Sequence, residues 1–106
     1  MGPKPELISE ITKRVVESVQ PLRIVLFGSA ARGDMGPDSD LDLLIVMPDG
    51  GDRLATARRL HRALRGLGCA KDIVVVLESD IELHGDNPCL VIHTALTEGL
   101  EVYRAA

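Results

Sequence analysis

Two aspartates two positions apart, Asp40 and Asp42, stand at the head of an apolar run that continues to residue 47. Aspartate is disfavoured in strands, so a pair beside strongly apolar neighbours asks for a reason other than folding. Side chains alternate across a strand, which places both carboxylates on one face, roughly 6–7 Å apart along it. Hard oxygen ligands so placed suit Mg²⁺, which takes one or two carboxylates together with substrate phosphates and water. One such ion, or two, fits between them. Upstream, the apolar run 22–27 breaks off at Gly28-Ser29, and a loop rich in Gly, Pro and Asp leads on to the aspartates. Gly28 permits a sharp turn and a close backbone approach, and Ser29 can cap a helical turn whose free N–H groups attract phosphate oxygens. Gly-Ser, ten residues and Asp-x-Asp arise by chance in about one chain in a thousand of this length. The plainer readings are the polar face of an edge strand for the aspartates and a simple helix N-cap for Ser29, the latter compatible with phosphate binding. Asp34 and Asp38, surrounded by Gly and Pro, read as turn residues.

The elements that must position these groups can be taken from the N-terminus. Leu7, Ile8, Ile11, Val15, Val16 and Val19 recur at helical spacing between Pro5 and Pro21, with Glu6, Glu10, Lys13, Arg14 and Glu17 on the other side, so an amphipathic helix covers a sheet. A first strand, about 22–27, is apolar on both faces and so belongs inside that sheet. The second strand, 40–47, carries Leu41, Leu43 and Ile45 opposite the aspartates, while Leu44 and Val46 continue the aspartate face into the core. A turn at 48–51 precedes a second helix that starts at Asp52 or the glycine before it. Its inward residues are Leu54, Ala57, Leu60, Ala63, Leu64 and Leu67, and Gly66 and Gly68 close it. A third strand, 73–77, begins beside Asp72. Strand-helix-strand order packs it on the same sheet, so that Asp72 can approach the Asp40/Asp42 pair; a loop aspartate capping the strand is the alternative. A turn region at 78–88, a last helix at about 89–98 and a short strand at 100–103 complete the chain. The class is α/β (α+β), a small mixed sheet flanked by helices.

Composition narrows the function. A chain of 106 residues is expected to be one domain, 1–106, without a second catalytic or lid domain. Its net charge is −4 and aromatics are only 2%. It therefore lacks both the basic surface and the stacking platform of a stand-alone nucleic-acid binder, which argues against a polymerase. Cys69 and Cys89 form no CxxC pair, and neither a signal peptide nor a membrane-spanning apolar run is present, so a cytoplasmic protein with free thiols is expected. Arg58, Arg62 and Arg65, at i, i+4 and i+7, line one face of the second helix. Such a row is ordinarily a solvated surface, and otherwise a docking face for an acidic partner. His61, His84 and His93 have no metal-ligand spacing and receive no role. Tyr103 reads as core packing for the last strand.

The run GSAARGDMGPDSDLDLLI, residues 28–45, resembles the signature of the polymerase-β-type nucleotidyltransferase superfamily. In so short a chain it is similar to the minimal nucleotidyltransferase domains. That family places a third carboxylate at the start of a later strand, which KDIVVV, residues 71–76, matches with Asp72; ALTEGLEVY, residues 95–103, is similar to the family's C-terminus. The resemblance thus covers most of residues 22–103. Ala30 departs from it, since many members carry a larger, often basic or aromatic residue there, whereas Arg32-Gly33 is retained.

The resemblance implies a polymerase-β-like core and transfer of a nucleoside monophosphate from a nucleoside triphosphate to a hydroxyl, with ATP as the expected donor. Gly28, Ser29 and Arg32 would then bind the nucleotide. Asp40, Asp42 and Asp72 would be the catalytic ligands of two Mg²⁺ ions in an in-line displacement. Minimal nucleotidyltransferases are commonly paired with a helical HEPN-type protein, a ribonuclease toxin, which they neutralise by complex formation or by attaching AMP to a hydroxyl of its chain, typically tyrosine. An antitoxin acting on such a partner is the expectation. Two alternatives are a non-catalytic antitoxin-like binding module and a small-molecule nucleotidyltransferase of the aminoglycoside type. The latter needs a substrate pocket from an extra domain or a dimer.

Overall fold

The fold was determined as a computed structural model in which residues 5–28, 31, 41–67, 71–84, 87 and 90–105 are described. Helix α1 (Pro5–Val19) precedes strands β1 (Arg23–Phe27) and β2 (Leu41–Met47), and helix α2 (Arg53–Ala63) leads into strand β3 (Lys71–Leu77). Helices α3 (Glu78–His84) and α4 (Val91–Glu98) and strand β4 (Leu100–Arg104) follow. The strands form one sheet in the order β3-β2-β1-β4. β1 pairs antiparallel with both β2 and β4, whereas β2 and β3 are parallel, which makes the sheet mixed as expected. The doubly apolar β1 is an inner strand, as its sequence requires.

Alternation along the strands divides the core into two layers. On one face Ile24, Leu26, Leu41, Leu43 and Ile45 meet Ile11 and Val15 of α1 and Leu60 and Leu64 of α2. On the other, Val25, Phe27, Leu44, Val46 and Val76 meet Ile92 and Ala95 of α4, with Ile81 of α3 packed at the border. Each fully buried Leu, Ile or Val stabilises the fold by about 1.5–3 kcal/mol. The two layers therefore hold the sheet rigid from both sides. Tyr103 joins the first layer, as its place in the last strand suggested.

Helix α2 starts where its cap dictates. The Asp52 carboxylate accepts hydrogen bonds from the backbone N–H groups of Leu54 (3.0 Å) and Ala55 (3.1 Å), satisfying two donors that a helix start leaves unpaired. Its other end is closed from a different helix: Arg14 of α1 donates to the carbonyls of Ala63 (3.3 Å) and Arg65 (2.9 Å). Of the residues expected to face inward, Leu54 does not, being 61% exposed in the first turn.

Residues 78–84, expected to be part of a turn, are helical. The run Glu78-Ser79-Asp80-Ile81-Glu82-Leu83-His84 has no apolar stripe to announce a helix. Contacts distant in sequence hold it instead. Asp49, in the turn after β2, accepts from the N–H of Ser79 at 2.9 Å. Asp80 reaches back to accept from the N–H of Leu77 at 2.8 Å, one half of a capping box. Arg53 grips the same carboxylate with two hydrogen bonds of 2.8 and 2.7 Å. The hydrogen bonds from Arg53 first, and from Leu77 second, hold the Asp80 carboxyl below its usual range.

Candidate active site

Strand register brings the two described aspartates of the sequence reading together. Asp42 is the partner of Phe27 across the β1–β2 pair and of Asp72 across the parallel β2–β3 pair. Residues paired in register share a face, and adjacent strands lie about 4.8 Å apart, so the two side chains leave the sheet on the same face from neighbouring strands. Leu44 pairs with Val74, and Val46 with Val76, continuing that face into the layer covered by α3 and α4. Leu41, Leu43 and Ile45 point the other way, into the layer under α1 and α2, as the alternation predicts. Asp42 is half-buried and Asp72 exposed, the latter because β3 is an outer strand.

Gly28 ends β1 beside this pair with a φ of +71°, in the left-handed region that glycine enters without a steric cost. A Cβ built there would lie 3.1 Å from Cγ of Asp42 and would overlap its Oδ2. The position therefore has two reasons to be glycine, a backbone angle and a carboxylate occupying the space. The sequence reading supplied only the first, together with an anion's approach. Phe27, only 6% exposed, forms the apolar wall of the site on the β1 side. Its alternation with Val25 along β1 is the sequence signal for that position.

Ser29, Arg32 and Asp40 lie outside the described residues, as do Asp34 and Asp38. Among the described residues no group of three or more His, Cys, Asp or Glu side chains is gathered for a metal ion. Asp42 and Asp72 nevertheless fit a hard divalent cation: their donors are carboxylate oxygens, and Gly28 has no side chain to push the Asp42 carboxylate from its place. Chain direction places both aspartates at one end of the sheet. β2 and β3 start there and β1 finishes there.

A four-stranded mixed sheet with paired carboxylates at the strand ends, next to a glycine turn, is the plan of a nucleotidyl-transferring domain. The chain belongs to the nucleotidyltransferase domain family, whose model matches residues 8–93. Among solved structures it is similar to a Sulfolobus solfataricus protein assigned as a nucleotidyltransferase, with a TM-score of 0.64 and 24% identity over 93% of this chain and 78% of that one. It is also similar to a chain of a toxin–antitoxin structure with AMP-PNP (TM-score 0.64, 22% identity, 92% of this chain and 73% of that one). A mutant of the toxin–antitoxin MntA–HpeT bearing two aspartate-to-glutamate changes is likewise similar, with a TM-score of 0.63 and 20% identity over 92% and 73% of the two chains. At these identities the likeness is one of fold. No curated protein matches the chain.

Proposed function

We propose that this domain transfers AMP from ATP to a hydroxyl of a partner protein, and that it serves as the antitoxin of a helical, HEPN-type toxin. The observation that carries the chemical part is the register pairing of Asp42 with Asp72, with Gly28 making room for the Asp42 carboxylate. In this reading residues 1–106 act as one nucleotidyltransferase domain in the cytoplasm. No helix among the described residues is long and apolar enough to cross a membrane.

The roles follow from position. Asp42, with Asp40, would hold Mg²⁺ on the donor side; Asp72, exposed on the outer strand, would hold it on the side from which an acceptor can approach. Mg²⁺ bound there would offset the charge of the triphosphate and make the acceptor hydroxyl more acidic. Gly28, Ser29 and Arg32 would seat the phosphates. The acceptor oxygen bonds to the α-phosphorus, the bond to the β-phosphate breaks, pyrophosphate leaves, and the hydroxyl proton passes to water. Phe27 excludes water from the inner side of the pair.

The protein acceptor is supported by what the chain lacks for other substrates. Its charge and two aromatic residues do not favour a free nucleic acid. Two of the structures that share its fold are toxin–antitoxin assemblies, one solved with AMP-PNP, an analogue of ATP. The test is co-expression with the helical protein encoded next to this chain, followed by intact-mass measurement. The partner should be heavier by one or more AMP units, and the gain should vanish with Asp42→Asn or Asp72→Asn. An unmodified partner in a stable complex would refute transfer, and the absence of any complex would refute the antitoxin role.

A further inference from the structure

Charge in this acidic chain is segregated. Arg53, Arg58, Arg59, Arg62 and Arg65 fall within residues 53–67, a stretch without a single Asp or Glu. Arg53 is engaged by Asp80, whereas Arg58, Arg59, Arg62 and Arg65 are exposed and make no ion pair among the described residues. Nor are they needed to close their own helix, because Arg14 reaches across from α1 to the carbonyls of Ala63 and Arg65. Like charges three and four residues apart repel, so the row weakens the helix that carries it. A purely folding role does not account for it.

We infer that this face of α2 is a docking surface for an acidic protein segment. Arg58 and Arg62 stand one turn apart on α2, and Arg65 follows in the turn just beyond the end of the helix. Beside it Arg59, Arg62, Ser18 and Ala63 line a shallow cavity of about 330 Å³ between α1 and α2. Two guanidinium groups and a hydroxyl around such a notch match a carboxylate side chain, which Arg can bind through two parallel hydrogen bonds. A short acidic protein surface fits better than a nucleic-acid backbone. A long polyanion would run onto Glu6, Glu10 and Glu17 of the neighbouring α1, and the domain has no aromatic platform for bases.

The placement also gives the surface a use. α2 returns from the far end of β2 to the end where β3 begins, packing on β3, the outer strand that carries Asp72. A partner held on α2 lies behind the sheet and can pass a segment around the β3 edge to the catalytic pair. This last step rests on the antitoxin reading, whereas acidic docking stands independently of it.

The test uses the triple variant Arg58→Ala, Arg62→Ala, Arg65→Ala and two fluorescent probes, a 20-residue Glu/Ala helical peptide and a 20-nucleotide RNA. Fluorescence anisotropy at low and at physiological salt should show wild type binding the peptide, the variant binding it at least tenfold more weakly, and RNA bound less well than peptide. Thermal melting should show the variant as stable as wild type or more so, which separates lost binding from unfolding. Tighter RNA binding, or equal peptide binding by the variant, overturns the inference. With the co-expressed helical protein, the variant should lose the complex while retaining Mn²⁺ binding. If wild type binds the peptide but not that protein, the antitoxin reading fails and the docking surface stands. A complex that survives in the variant places that partner elsewhere and overturns the route around β3.

Discussion

Replacing Gly28 with alanine should damage the site far more than the fold, and a matched substitution at Gly66 should do the reverse. Both glycines have positive φ, +71° and +80°. An alanine in that region costs about 1–2 kcal/mol. Around Gly66 nothing lies within 4 Å of the added Cβ, so strain is the whole effect. At Gly28 the Cβ meets the Asp42 carboxylate. That group is the end of a side chain and can rotate away, so the further cost in stability is small while the carboxylate leaves its place beside Asp72. For a domain of this size both variants should melt about 5–15 °C below wild type. Calorimetric titration with Mn²⁺, alone and with a non-hydrolysable ATP analogue, should then separate them: at least a tenfold loss for Gly28→Ala and little change for Gly66→Ala. Equal Mn²⁺ affinity in both variants would refute the argument that Gly28 exists to leave room for Asp42.

Other expectations follow from single contacts. Asp42→Asn and Asp72→Asn should each abolish nucleotide transfer while circular dichroism remains that of wild type, because neither carboxylate lies within an apolar layer. Gly99→Ala should lower stability by about 2–3 kcal/mol in urea unfolding without touching the site. There the added Cβ would press on Val25 Cγ1 and, at 2.9 Å, on the Leu26 carbonyl, part of the rigid sheet. Asp80→Ala should cost about 1–2 kcal/mol through the lost hydrogen bonds at the start of α3. Its carboxyl is held below its ordinary value in the folded chain, so the unfolded chain takes up the proton first. The stabilisation is thus complete above the ordinary value of 3.8 and disappears as pH falls through the lower folded one. Acid titrations of stability should show a shallower loss in Asp80→Asn than in wild type.

The parts of the fold written in local patterns were legible in the sequence. Helical spacing in α1, the doubly apolar β1 and the alternation of β2 all gave elements on the correct faces, and the strand-helix-strand order placed Asp72 near Asp42. What remained hidden depends on distant partners. Helix α3 needs Asp49 and Arg53, 30 and 27 residues from the groups they bind, so a run of acids and histidine looked like a turn. Leu54 carries the right spacing but lies in the first turn of α2, where the helix has not yet met the sheet. At the site, the type of residue 28 was legible, but its contact with Asp42 was not, because it crosses between two strands and joins residues 14 positions apart.

The parallel pairing of β2 with β3 makes the proposed catalytic arrangement discrete. Slipping β3 by one residue would turn Asp72 toward the layer beneath Leu60 and Leu64, and would carry Ile73 and Val75 out of it. A carboxylate driven into that layer has no water, and an unpaired buried charge is among the costliest states a chain can adopt. No intermediate register exists in which Asp72 is half a residue out of place. Loosening of β3 therefore divides a population into fully competent and fully incompetent molecules instead of slowing every molecule a little. The apolar residues of β3 act as a proofreader of the site they do not touch.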